Sequence, residues 1–265
     1  MPFTIATWNI NSVRLRIGLV EQFLGAHAPD VLCLQETKTL DDAFPRKALE
    51  AAGYAHIAIA GQKGYHGVAI ASKHPFKTVE RDDWCAMGDA RHLRVSFEDD
   101  LIVDNFYVPA GGDEPDPAIN PKFAHKLKFL RELAQWGDRR RRSDTRAIMV
   151  GDLNVAPHEH DVWNHKQLLK IVSHTPVETD LLGQVFAAHD WVDAVRHFVP
   201  LRQKLYSWWS YRAADWDAAD RGRRLDHVWV TPALKDGLVS TSTLREARGW
   251  DRPSDHVPVL VTLER

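Results

Sequence analysis

The tightest constraint on the fold of this chain is a series of short apolar runs, four to eight residues long, each stopped by polar residues. Residues 3–8, 31–34, 67–71, 93–97, 101–108, 147–150, 225–231 and 257–263 are of this kind and read as strands. The first run stops at Asn9 and the second at Gln35-Glu36-Thr37. Asn9 and Glu36 are therefore expected side by side if these two strands are neighbours. The run at 147–150 delivers Gly151-Asp152-Leu153-Asn154.

Helical spacing lies between the runs. Ile17, Val20 and Leu24 share a face that closes at His27-Ala28-Pro29. Asn120-Pro121 supplies an N-cap and a first-turn proline to a helix carrying Phe123, Leu127, Leu130 and Ala134 on one side and expected to close at Gly137. Residues 157–205 are His-rich, broken by prolines and weakly patterned, with one short helical candidate at 184–188, and read as an insertion. No repeat and no Gly/Ser- or Pro-rich linker interrupts the chain, so residues 1–265 are expected to form a single domain.

Composition narrows the class. With 44% hydrophobic and 26% charged residues the chain is globular rather than disordered. A formal net charge of −2 means that any surface for nucleic acid must be local. No apolar run approaches the ~20 residues that span a bilayer. The N-terminal segment lacks a basic leader and a cleavage site, and is read as that of a cytoplasmic protein. Cys33 and Cys85 have no Cys-x-x-Cys partner, which argues against a disulfide framework.

The polar residues at the run ends are Asn9, Glu36, Tyr107, Asp152, Asn154, Asp226, Asp255 and His256. Strand ends are where open sheets place their sites. Taken singly each has a plain structural explanation: Gly-Asp-x-Asn is equally a turn closed by Asx bonds, and Tyr107 a strand aromatic. Together they supply what phosphodiester cleavage needs, a hard cation and positioned donors for charge spread over phosphoryl oxygens. Glu36 with Asn9 suits a sparse Mg²⁺ site, and Asp255 offers a second carboxylate. Asp226 paired with His256 would hold a proton donor against phosphate. Asp152 is the candidate to orient or deprotonate water, Asn154 to position it, and Tyr107 to donate from its phenol.

With these residues the chain resembles the exonuclease III/AP endonuclease family, within the endonuclease/exonuclease/phosphatase superfamily. The resemblance is carried by Trp8-Asn9-Ile10-Asn11, Leu34-Gln35-Glu36-Thr37-Lys38, residues 61–68, Tyr107-Val108-Pro109, Gly151-Asp152-Leu153-Asn154, Arg224-Leu225-Asp226 and Ser254-Asp255-His256, in family order over nearly the whole chain. It implies an α/β fold, a four-layer α/β sandwich with two central mixed β-sheets flanked by helices. It also implies Mg²⁺- or Mn²⁺-dependent hydrolysis of double-stranded DNA 5′ to abasic sites, leaving a 3′-hydroxyl, with 3′ to 5′ exonuclease action and cleaning of 3′ blocks, the chemistry of base excision repair. By the same resemblance Glu36 is the main metal ligand with Asn9 and Asp255 near the metal. Asp152 and Asn154 handle the nucleophilic water, and Tyr107 and His256 contact the scissile phosphate with Asp226 behind His256. A monomer is expected.

The resemblance extends to DNA contacts. It places Trp208 against a deoxyribose flipped from the duplex, an extrusion that costs less at an abasic site. It sets Lys63 and Tyr65 at the minor groove and Lys122 near the backbone. Arg223 and Arg224, beside Asp226, are expected to touch DNA, whereas the arginine run 139–142 is read as a solvated helix end. The chain departs from some relatives at Ala110, where they carry glutamine, at Arg223, where they place an apolar residue, and at Asn11, an Asp elsewhere. His158-Glu159-His160-Asp161 lacks the His-Glu-x-x-His spacing and reads as loop rather than as a zinc site. Two other functions compete: a phosphatase or sphingomyelinase of the superfamily, disfavoured by Gln-Glu-Thr-Lys and the paired tryptophans, and an inactive DNA-binding module, disfavoured because every proposed catalytic group is present.

Overall fold

The computed structural model of the chain describes residues 2–140, 142 and 144–265, apart from the side chains of Asp138 and Arg140. In chain order the first sheet draws on β1 (Pro2–Asn9), β2 (Val31–Gln35), β3 (His56–Ala60) and β4 (Val68–Ser72). Next come β5 (Thr78–Glu80), β6 (His92–Ser96), β7 (Ile102–Tyr107), β8 (Ala147–Asp152) and β9 (Val192–Asp193). A two-stranded ribbon of β10 (Trp208–Trp209) and β11 (Gly222–Arg223) precedes β12 (Asp226–Val230), β13 (Leu238–Thr243) and β14 (Val259–Glu264). The longer helices are α1 (Ile17–His27), α2 (Arg46–Ala51) and α3 (Pro121–Arg140); α4 (His165–Leu168) is one turn, and α5 is Pro176–Ala188.

Two six-stranded mixed sheets result, ordered β13-β14-β1-β2-β4-β3 and β5-β6-β7-β8-β12-β9. Alternation along each strand sends one set of side chains between the sheets and the other outward. Ile5, Val31, Ile70 and Val261 from the first sheet meet Val95, Val103, Ile148 and Val228 from the second in a shared core. The outward set of the first sheet, including Trp8, Leu32 and Leu34, packs on Val20, Phe23 and Leu24 of α1. That of the second, including Phe106, Met149 and Trp229, packs on Phe123, Leu127 and Leu130 of α3 and Leu181, Leu182 and Val185 of α5. The order of layers is therefore helix, sheet, sheet, helix, as the family resemblance implies.

Three boundaries depart from the sequence reading. Helix α3 does not close at Gly137 but continues to Arg140. A Cβ at Gly137 would sit 3.3 Å from the Ala188 Cβ, so this glycine lets α3 approach α5 rather than capping the helix. Arg139 and Arg140 thus belong to the last helical turn, Arg142 is exposed, and Arg141 of the same run lies outside the described residues. Within the stretch 157–205, the short candidate at 184–188 is the end of the 13-residue α5. Its start is set by a reciprocal capping box between Thr175 and Glu178, with Pro176 in the first turn. The edge strands β3 and β13 were not expected. The burial of β13 is broken rather than alternating, as befits an edge with one exposed flank.

Candidate active site

Strand register brings the polar run ends together. Strand β1 pairs with β2 in parallel, with Asn9 opposite Gln35, so Asn9 and Glu36 emerge side by side from the first sheet. In the second sheet Tyr107 is opposite Asp152 across the parallel β7–β8 pair, and Asp152 opposite Asp226 across the antiparallel β8–β12 pair. Asp152 therefore stands between Tyr107 and Asp226. Gly151, at φ +139°, permits this: a Cβ there would collide with the Phe106 carbonyl oxygen. The loops that leave the strands are held in left-handed backbone at Asn11, Glu36, Lys38 and Asn154, with φ of 47°, 50°, 52° and 54°. Clusters of such conformations are held only where the surroundings over-determine them, as at binding and catalytic sites.

A hydrogen-bond network joins the two sheets. The Asn9 side-chain amide donates both to Glu36 Oε1 (2.8 Å) and to Asp152 Oδ2 (2.9 Å). The Tyr107 phenol donates to Glu36 Oε1 (2.9 Å), and Lys38 Nζ lies 2.8 Å from Glu36 Oε2 and 2.6 Å from Asn11 Oδ1. Asp255 accepts from Asn11 Nδ2 (3.1 Å) and from the Trp208 indole (2.9 Å). His256 Nδ1 lies 2.8 Å from Asp226 Oδ2, and its Nε2 is 3.7 Å from Asp152 Oδ2. Ser207 donates to the same Asp226 oxygen (2.7 Å). Trp8 donates to the His256 carbonyl (3.0 Å) and Ser254 to the Asn9 carbonyl (2.6 Å), which ties the loop before β14 to β1. Asn9, Asp152, Asp226 and His256 are all buried.

Burial and neighbouring charge set the ionisation of this cluster. Burial, the largest influence on Asp152, pushes its carboxyl up to about 7; the His256 charge opposes the rise and the Asp226 charge adds to it. Burial disfavours the His256 imidazolium, yet the charges of Asp226 and Asp152 outweigh it and lift the ring to about 10. For Glu36 burial again favours the neutral form, but the Lys38 charge and the bonds from Asn9 and Lys38 prevail, and its carboxyl stays below the usual range. Burial, with the charges of Glu36 and Asp152, raises Tyr107 well above an ordinary phenol, so it remains a donor. The site thus holds a carboxyl raised by burial beside a ring whose charged form its carboxylate neighbours favour, a proton acceptor next to a proton donor.

All eight run-end residues converge here, and Trp208 joins them through Asp255. Asn9 stands beside Glu36, the expected main metal ligand. Its NH₂ group bridges the two carboxylates and holds them in register, and its Oδ1 accepts from the Asn11 amide (3.1 Å). Arg223 does not point outward to DNA: it donates to the Val172 carbonyl (2.9 Å) and Ser173 Oγ (2.8 Å), and its guanidinium lies 5.2 Å from the Trp208 ring, bracing that indole from behind. The expected DNA contact at Arg224 is overturned. Arg224 is 1% exposed and paired with Asp193 and Asp161, so its charge is consumed inside the fold. Lys63, Tyr65 and Lys122 are exposed, the first two on the β3–β4 loop and Lys122 in the first turn of α3. The Tyr65 ring lies 6.0 Å from His66, whose ring is in turn 6.0 Å from Tyr107.

Lys38, Asn11 and Ser207 were missed as site residues; for Lys38 the signal was its place two residues after Glu36 in the same motif. The His-rich stretch holds no comparable centre. Asp161 is taken by Arg196 and Arg224, and His165 and His174 are bonded to each other at 2.8 Å. Among the described residues, the group of three His, Cys, Asp or Glu side chains with close ligand atoms is Asp152, Asp226 and His256. A hard divalent cation fits the neighbouring donors better, because Glu36 Oε2 and Asn11 Oδ1 already converge on a positive charge, the Lys38 ammonium.

Comparison with known proteins agrees with this geometry. A model of the endonuclease/exonuclease/phosphatase family matches residues 6–256. The exodeoxyribonuclease III of Haemophilus influenzae is 31% identical over 264 residues, covering 96% of this chain and 97% of that protein. The structure of an AP endonuclease from Archaeoglobus fulgidus superposes with a TM-score of 0.91 at 29% identity, over 99% of this chain and 100% of its own. A variant of the 3′ phosphatase NExo from Neisseria, bound to a product DNA hairpin, superposes with a TM-score of 0.89 at 29% identity and the same coverage.

Proposed function

The chain belongs to the endonuclease/exonuclease/phosphatase family, and on that premise we propose that it is a metal-dependent DNA-repair nuclease. Its reaction is hydrolysis of the phosphodiester 5′ to abasic sites in double-stranded DNA, with 3′ to 5′ exonuclease action and removal of 3′ blocks. The observation that carries this reading is the placement of Asp152, a buried carboxyl raised above the usual range by its burial and set between the Asn9 amide and the His256–Asp226 pair.

In this reaction Asp152, with Asn154 beside it, orients a water molecule and takes its proton. The water oxygen forms its bond to phosphorus as the bond from phosphorus to the 3′ oxygen breaks, and that oxygen leaves as a hydroxyl once protonated. The His256 imidazolium and the Tyr107 phenol donate to phosphoryl oxygens on which charge accumulates. Glu36, with Asp255 and Asn11 at hand, would hold the cation, and Asn9 keeps Glu36 and Asp152 at a fixed separation. A bound Mg²⁺ or Mn²⁺ neutralises phosphoryl charge, which suits these oxygen donors. The aromatic face of Trp208 walls the sugar pocket, and Lys63, Tyr65 and Lys122 line the approach to the duplex. With a net charge of −2, such local groups must supply the phosphate affinity.

The family match over 6–256 supports treating the chain as one domain, and we propose that it acts as a monomer. No helix among the described residues is long and apolar enough to cross a membrane. The DNA substrate is the ground on which we propose a cytoplasmic location. The test is turnover on duplexes bearing an abasic site or a 3′-phosphate, set against inositol phosphates, with Mg²⁺ and with EDTA. Metal-dependent preference for the DNA substrates is expected. Preference for the inositol phosphates would replace this reading with that of a superfamily phosphatase.

A further inference from the structure

Behind the candidate site lies a pair of opposite charges that the chemistry above does not use. Lys126 of α3 and Glu178 of α5 are both fully buried and their charged atoms are 2.5 Å apart. A tie between two helices would need no more than this contact. The Lys126 ammonium, however, also donates to the Asn154 carbonyl (2.7 Å) and to the Ala110 carbonyl (3.3 Å), on the loops that leave β8 and β7. Its three N–H groups are thereby all used, two of them on segments that carry Asp152, Asn154 and Tyr107.

The Glu178 carboxylate faces the other way. It accepts from the Ser173 amide (2.9 Å), the Thr175 amide (3.1 Å) and the Thr175 hydroxyl (2.6 Å). Ser173 in turn receives Arg223 (2.8 Å), which underlies Trp208, and the Ser173 carbonyl accepts from the Ala156 amide (2.8 Å). One path, buried from Lys126 to Ser173 and half-buried beyond, therefore runs from the water-handling loop through Lys126, Glu178, Ser173 and Arg223 to the indole wall. Asn154 has left-handed backbone at φ +54°, and the bond that Lys126 makes to its carbonyl opposes relaxation of that turn.

We infer that Lys126 and Glu178 are positioning residues that lock the Asp152–Asn154 loop to the Trp208 wall, fixing the distance between the attacking water and the sugar. This rests on the reading of Asp152 and Asn154 as the groups that handle the water. The phosphodiester attached to the sugar that Trp208 walls and the water oriented by Asp152 and Asn154 must meet in line, and small displacements of such a pair are costly. An ion pair of this kind keeps its place because of what its remaining hydrogen bonds orient, since its net contribution to stability is small or negative.

The test is the double substitution Lys126→Met with Glu178→Gln, which removes both charges together and leaves neither buried alone. The introduced glutamine still offers an acceptor to the Ser173 amide. Two readouts are taken: amide hydrogen exchange, and steady-state kinetics on an abasic duplex. The inference predicts exchange at least tenfold faster in both 152–156 and 207–209 with β1 and β14 unchanged, and kcat reduced roughly 10- to 100-fold with KM within about twofold. Unchanged exchange in either segment, or unchanged kcat in the folded variant, overturns it. Failure of the parent to cut DNA would overturn the functional reading instead, while the exchange result still decides the coupling. If the double variant does not fold, Arg223→Leu cuts the same path at its far end. Faster exchange in 152–156 as well as 207–209 is then expected, and an unaffected 152–156 overturns the inference.

Discussion

Replacing Asp226 by Asn keeps the side chain's shape and removes the charge that holds His256 as imidazolium. Burial alone would push the ring below its ordinary 6.5, yet with Asp226 and Asp152 beside it the value is about 10. That rise corresponds to about 5 kcal/mol in favour of the charged ring. Of the two carboxylates Asp226 is the nearer, at 2.8 Å from Nδ1 against 3.7 Å from Nε2 for Asp152, so most of the support goes with it. The variant ring is expected to be neutral at pH 7.5. A neutral donor then faces the phosphate, and Asp152 loses both the His256 charge that lowers its carboxyl and the Asp226 charge that raises it. The analogous substitution behind the histidine of serine proteases costs about 10⁴ in kcat. We expect roughly 10² to 10⁴ here, with DNA binding changed less than about threefold. Single-turnover cleavage of a labelled abasic duplex, binding in the same samples and ¹⁵N NMR of the His256 ring measure all three quantities. An imidazolium that persists at pH 7.5 in the variant, or losses that are equal in binding and cleavage, would refute the reasoning.

Further outcomes follow from groups outside the site. Asp104 is buried with Arg94 and His92; burial favours its neutral form, but the Arg94 charge and both hydrogen-bond donors prevail and hold it near 2, below the 3.8 of an unfolded chain. A depressed carboxyl contributes stability above its unfolded value, here about 2 kcal/mol, which is lost as pH falls from about 4 to 2. Asp104→Asn should cost about 3 kcal/mol or more at pH 7 by stranding Arg94, and urea melts should show that penalty shrinking by pH 2. Arg224→Met, which strips Asp193 of its cation and leaves Asp161 to Arg196 alone, should lose about 3–5 kcal/mol in urea melts while the salt dependence of DNA binding is unchanged. Lys122→Ala should do the reverse, with stability within about 0.5 kcal/mol of the parent and the slope of log affinity against log salt reduced by about one.

Much of the site could be read from strand ends because the register of parallel neighbours turns adjacency in a sheet into adjacency of the residues that follow. Asn9 beside Glu36 is of this kind, whereas Asp226 and His256, 2.8 Å apart, come from different sheets. What stayed hidden depended on burial and on packing between distant elements. Arg224 carries the same local signal as a surface arginine, and only the fold shows Asp161 and Asp193 converging on it. Gly137 looks like a helix stop, yet its lack of a side chain serves the approach of Ala188 from α5. Helix α5 itself was concealed by prolines and histidines, although Thr175-Pro176-Val177-Glu178 spells a capping box. Arg223, counted toward DNA, has its guanidinium turned to the backbone of 172–173. Nothing in the sequence marked Lys126, because its partners Ala110, Asn154 and Glu178 come from the loops after β7 and β8 and from α5, and only the fold brings them to α3.

Central to the chemistry proposed here is that Asp152 takes the proton of the attacking water. Its most direct test is single-turnover cleavage of an abasic duplex by the parent and by Asp152→Asn with Mg²⁺ present, with binding measured on the same samples. A metal-dependent cut 5′ to the lesion is expected of the parent, and in the variant a cleavage rate lower by roughly 10³ or more with DNA affinity little changed. Cleavage by the variant within tenfold of the parent would contradict it.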